Sequence, residues 1–173
     1  MKPIRQSTYE TCLPCSLLML MGKTDGKDEI RIWKHGWKFN YLVGQLNYVA
    51  GHYDKHLDVY IENPYYFRDL EKQKKKGVIF LNEKIDIALL SRLLEKGKVI
   101  VYLDTYHLHG VLHAPHFVIA IKRTDGWIEI ADPYDGKLKR IPIGVLGRSI
   151  DSMRKHLKYS PVLIRLVKFS RNR

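Results

Sequence analysis

The chain opens on a polar stretch, Met1 to Glu10, with no apolar periodicity, which predicts an extended approach. An apolar run follows, and Cys12 to Met21 reads as a helix. Thr11 stands at its cap position, Pro14 fits only its first turn, and Gly22 ends it. Helical spacing recurs in Asp28 to Trp37 (Ile30, Trp33, Trp37) and in Tyr41 to Tyr53 (Leu42, Leu46, Val49). Leu57 to Ile61 has the character of a strand, and Pro64 to Lys75 that of a helix opened by proline. Asp86 to Lys96 is a strong helix with Ile87, Leu90 and Leu94 on one face and Gly97 at its end. Beyond it the pattern changes. Lys98 to Asp104, His116 to Lys122, Trp127 to Asp132 and Pro161 to Phe169 are short and rich in Val and Ile, the signature of strands in one antiparallel sheet. A shorter strand near Leu138 and a helix over Ser149 to Leu157 complete the set. Helices in the first half and strands in the second give an α+β fold, with a helical lobe packed on a C-terminal antiparallel sheet.

Length and charge narrow the picture. The 173 residues suffice for one domain with a real core, so residues 1–173 read as a single unit. No apolar stretch approaches the length of a membrane span, and the polar N-terminus does not resemble a signal peptide, so the expectation is a cytoplasmic, soluble protein. The formal net charge of +12 favours acidic partners, whether an acidic peptide, nucleic acid or anionic lipid. The cations are spread along the chain, as on a solvated basic surface. Only Lys72 to Lys76 forms a cluster, and it sits at a predicted helix end, where cations suit the dipole.

The two cysteines, Cys12 and Cys15, lie three residues apart, too few for a disulfide framework. Cys12 falls at a predicted helix N-terminus, where aligned amide dipoles favour a thiolate and hence a nucleophile. Gln6, six residues upstream, is within reach to donate its amide to an oxyanion, with the Cys12 backbone N–H as second donor. Other readings stay open. Cys-Leu-Pro-Cys resembles a thioredoxin redox motif but lacks the preceding buried strand. Zinc could gather Cys12 and Cys15 with His107, His109, His113 and His116, although a second metal-type pair is missing. Burial as a small hydrophobe suits Cys15.

A cysteine nucleophile needs a base, and the base an orienting acceptor. His116 opens one predicted strand and Asp132 closes the next. A two-residue Asp125-Gly126 turn pairs Thr124 with Trp127 and leaves the two on opposite faces. A three-residue Thr124-Asp125-Gly126 loop sets His116 opposite Tyr134, on the face of Asp132 and roughly 7–8 Å from it along the backbone. The chemistry therefore requires the odd-numbered loop or an equivalent bulge.

In order and spacing, Gln6, Cys12, Pro14 and Cys15, then His116-Phe117-Val118, Asp132-Pro133 and Gly136, resemble the bacteriocin-processing peptidases that cleave double-glycine leaders. These are papain-like cysteine peptidases, some of them fused to peptide exporters. The resemblance spans nearly the whole chain and implies a papain-like fold and peptide-bond cleavage without a cofactor or metal. It implies an attacking Cys12, a proton-shuttling His116, an orienting Asp132 and an oxyanion donor in Gln6. Leu13 stands where the family carries glycine, which implies a narrower approach to the oxyanion hole. The segment His107 to Pro115 is longer and richer in histidine than the family pattern, and no transporter segment is present in these residues. The substrate is then a peptide or protein, acidic by the charge argument. The competing reading is a catalytically silent, peptidase-like module that binds an acidic peptide or nucleic acid through its basic surface.

Overall fold

Local sequence sets most of the elements. The computed structural model describes residues 1–38 and 40–167. Helix α1 (Cys12–Leu20) is buried along its whole length, a core helix rather than an amphipathic one. Thr11 occupies its N-cap position, but its hydroxyl donates back to the Thr8 carbonyl at 2.9 Å instead of capping the helix. Side-chain caps do start α3 (Tyr41–His52), α4 (Pro64–Gln73) and α5 (Ile87–Leu94), where Asn40, Asn63 and Asp86 accept from backbone N–H groups of the first turn. α2 (Glu29–Gly36) crosses α3 closely at Gly44, where a Cβ would meet the His35 carbonyl at 2.3 Å.

Seven strands form one sheet in the order β2-β1-β7-β3-β4-β5-β6. They are β1 (His56–Ile61), β2 (Val78–Asn82), β3 (Val99–Asp104), β4 (Pro115–Thr124), β5 (Trp127–Asp132), β6 (Lys137–Pro142) and β7 (Val162–Val167). Every pairing is antiparallel except β1 with β2. That pair is parallel because α4 forms the crossover between its strands, the one connection type that permits it. Side chains alternate across the sheet and bury two cores. Ile100, Ile119 and Ile164 face α1 to α4, while Val101, Val118 and Leu163 face α5 and α7 (Ile143–Ser152).

The α+β reading holds, with refinements. The sheet recruits β1 and β2 from the first half of the chain, and helices cover both of its faces. β2 and a short α6 (Tyr106–His109) are additions to the expected elements. The last helix begins at Ile143 rather than Ser149. Gly144 and Gly147 lower its propensity, and packing of Leu146 and Ile150 compensates. It continues as a π-turn, Met153–Leu157. The final strand was expected to reach Phe169, but Lys168 and Phe169 lie outside the described residues. Among the described residues, no helix is long and apolar enough to cross a membrane.

Leu17 has no solvent exposure and packs within the α1 core. Leu17→Ala should cost about 2–5 kcal/mol. The half-exposed Trp127→Ala should cost less than about 1 kcal/mol. Urea denaturation midpoints of the two variants provide the comparison.

Candidate active site

His116 and Asp132 meet through a register irregularity. The β4–β5 turn is the two-residue form, with Thr124 opposite Trp127, not the three-residue loop. Lys122 pairs with Glu129, yet Ala120 pairs with Ile130, so Ile121 is the extra residue of a bulge. Past the bulge Ile119 lies opposite Ala131. One step on, that register sets Val118 against Asp132 and His116 on the face of Asp132. The bulge does what the odd loop would have done.

His116 Nε2 lies 2.8 Å from Asp132 Oδ1, and both side chains are buried. The Cys12 side chain is near enough to the ring to raise its pKa. Because Nε2 is taken by Asp132, Nδ1 is the ring nitrogen left for another partner. Cys12 is the first residue of α1, so its backbone N–H has no helical acceptor. Fully buried Ser16 donates to the Phe117 carbonyl at 3.3 Å, which fastens α1 to β4 beside His116.

Electrostatics favours a charged ring. Burial alone would lower the His116 pKa, but the hydrogen bond to Asp132 and the nearby Cys12 side chain outweigh it and raise the pKa from 6.5 to about 9. For Asp132, burial pushes the pKa upward. The nearby His109 ring, the hydrogen bond and charge of His116, and Lys139 overcome it and hold the carboxyl well below the usual range. Cys15 is the opposite case. Fully buried and beside Glu29, its thiol is pushed far up by desolvation and by the carboxylate. It is an inert core group.

Gln6 is tied to the same corner. Its backbone N–H donates to the Pro133 carbonyl at 2.8 Å, next to Asp132. Its side-chain amide donates to the Thr8 carbonyl at 2.9 Å, and its Oε1 is buried. An amide nitrogen carries two hydrogens, so one donor remains. The next residue, Ser7, is held through its N–H (2.7 Å) and its hydroxyl (3.0 Å) by the buried carboxylate of Glu29. Gly136, at φ +67°, closes the turn after Asp132, and a Cβ there would meet the Cβ of Arg5 at 2.9 Å. Leu13 is fully buried, so its bulk points into the core and not across the opening.

Two surface recesses adjoin these residues. One of about 270 Å³ is lined by Gln6, Thr8, Tyr9 and Tyr134. Another of about 450 Å³ is lined by Tyr41, Tyr66, Tyr102, Phe117 and Tyr159. The Tyr41 hydroxyl donates to the Glu10 carbonyl, two residues before Cys12. A larger recess, about 970 Å³, is lined by Lys55, His56, Lys96, Lys98 and Arg165, and none of the site residues borders it. Both cysteines are free thiols. Among the described residues, no group of three or more His, Cys, Asp and Glu side chains is placed to share a metal ion.

The four residues singled out in sequence thus lie in one corner of the fold. Glu29, Ser16 and Lys139 were not singled out, and His109 was named only as a possible zinc ligand. For Lys139 a signal existed: the Pro133–Gly136 turn sets Asp132 opposite Lys137, so Lys139 is a diagonal neighbour on the same face. No spacing rule links Glu29 or Ser16 to the site.

No protein-family model and no curated protein matches the sequence. Among solved structures, the chain is similar to one described as a "putative C39-like peptidase" from Bacillus anthracis. The TM-score is 0.58 at 14% identity, over 97% of this chain and 94% of that one. At that identity the likeness is one of fold: this is the fold of a C39-like peptidase.

Two outcomes follow from this geometry. Gly136→Ala forces a side chain into the left-handed region and against Arg5, and should cost about 1–2 kcal/mol. It should also speed hydrogen exchange at the Gln6 amide by loosening its bond to Pro133. The second concerns pH. The His116 pKa is raised by folding, so its contribution to stability is whole below pH 6.5 and lost as pH rises through about 9. Ring-resonance titration by NMR should place the His116 transition near that upper value, and Cys12→Ala should lower it.

Proposed function

We propose that this chain is a cysteine peptidase that cleaves a peptide bond, with Cys12 as nucleophile, His116 as acid and base, Asp132 as its orienting carboxylate and Gln6 in the oxyanion hole. One observation carries the reading: a buried imidazole lies 2.8 Å from a fully buried carboxylate and is also perturbed by the helix-tip thiol of Cys12. A structural histidine needs neither partner in that order, whereas nucleophilic catalysis needs both. The likeness of fold to a described C39-like peptidase supports the same reading and favours a relative of the double-glycine leader peptidases.

The steps follow from the geometry. Hydrogen bonding with His116 Nδ1 supplies the Cys12 thiolate and leaves the ring protonated. The thiolate attacks the carbonyl carbon, and the oxyanion meets the Cys12 backbone N–H and the free hydrogen of the Gln6 amide. His116 then gives its proton to the departing amine, and a thioester remains on Cys12. The neutral ring takes a proton from water, the hydroxide releases the acid, and the thiol is restored. Asp132 stays ionised throughout and fixes the ring plane. The recess walled by Tyr41, Tyr66, Tyr102 and Phe117 offers apolar contacts to a side chain near the reacting bond.

Cys12→Ala and His116→Ala should each abolish peptide cleavage, and Asp132→Ala, which removes the acceptor that orients the ring, should reduce kcat by roughly 10²-fold or more. Iodoacetamide at neutral pH should label Cys12 and spare Cys15, read by peptide mass mapping. Labelling of Cys15 in preference would overturn the assignment. Activity should fall on the alkaline side as His116 loses its proton near pH 9.

A further inference from the structure

The reading above uses one oxygen of Asp132, yet both are occupied. Oδ1 accepts from His116 at 2.8 Å and from the Tyr134 N–H at 2.9 Å. Oδ2 accepts from Lys139 Nζ at 2.6 Å. His109 Nε2 stands 3.2 Å from the same Oδ2, close enough for an ion pair though without hydrogen-bond alignment. Lys139 also reaches Asp135 Oδ2 at 3.0 Å. His109 is delivered by an anchored strap. The fully buried carboxylate of Asp104 accepts from Ser152 Oγ (2.6 Å), the Tyr106 N–H (3.0 Å) and the Ala114 N–H (3.2 Å), and pairs with His113 Nδ1 at 2.5 Å. These bonds hold both ends of the segment 105–114, which carries the histidines that exceed the family pattern.

The groups facing the pair are therefore Cys12 from α1, Asp132 from β5, Lys139 from β6, Asp135 and the Tyr134 ring from the turn, and His109 from α6. The ring must bind a proton while Cys12 is a thiolate and release it to the leaving amine. An uncompensated buried carboxylate beside the ring would make release costly, because it would strand an unpaired anion. Resting on the peptidase reading, we propose that Lys139 is a positioning residue that balances the charge on the outer oxygen of Asp132. The carboxylate thereby orients the His116 ring without trapping its proton.

The test is a set of full-length variants followed by NMR titration of the His116 ring, which does not depend on turnover. Lys139→Met removes the cation. Lys139→Gln keeps a donor for Oδ2, preserves the fold better and removes only the charge. Both should move the His116 titration upward by roughly half a pH unit or more. Lys139→Arg should restore the original midpoint. With a peptide amide substrate, kcat/KM of Lys139→Gln at neutral pH should fall by roughly threefold, from poorer proton donation to the amine. The matching ester, whose leaving group needs the proton less, should change little. A midpoint in Lys139→Gln that stays put or moves down overturns the proposal. The wild type inactive on every peptide but with the titration pattern intact sinks the peptidase reading alone.

Discussion

Asp132 is fully buried and ionised, and an ion of its size taken out of water costs several kcal/mol unless its lone pairs are met. Three groups meet them, His116, the Tyr134 N–H and Lys139, and the His109 ring stands 3.2 Å away. They come from β4, the turn after β5, β6 and α6. The carboxylate thus gathers separate stretches of chain, and each partner is fixed in turn by the demand it answers. The ring of His116 is the partner with a second obligation, to Cys12.

The remaining architecture serves to bring that sulfur to that ring. α1 is apolar on all sides and can settle only between α2, α3 and the sheet. Ser16 fastens it to β4 one residue past His116. Glu29 secures the approach at Ser7, and burial together with Glu29 raises the Cys15 thiol. Gly136 permits the Asp132 turn to lie against Arg5, so the segment carrying Gln6 docks beside it. The likeness of fold to a C39-like peptidase at 14% identity fits this division. A layered sheet and helices tolerate wide substitution, while a few close approaches do not.

The bulge at Ile121 shows how chemistry constrains backbone. Side chains alternate with a period of two, so a two-residue turn alone would place His116 and Asp132 on opposite faces. One extra residue in β4 reverses the parity for everything beyond it. Knowing that the two side chains must meet was enough to require an odd count. Where the odd residue would sit, in the turn or in the strand, is decided by packing of Ala120 and Ile130 into the core beneath α5 and α7.

By itself the sequence determined the class of most elements, because period, caps and breakers are local: the α1 run, the Asp86 and Pro64 starts, the Val- and Ile-rich strands. It also marked Gln6, Cys12, His116 and Asp132, since their residue types and order carry chemical meaning before any contact exists. Tertiary structure alone decided the parallel β1–β2 pair, the helices on both sheet faces and the inward course of Leu13. It also decided the charge network around Asp132. Those depend on approach between residues far apart in the chain, such as Glu29 and Ser7 or His109 and Asp132. Such approaches arise only when burial of the two cores forces the segments together.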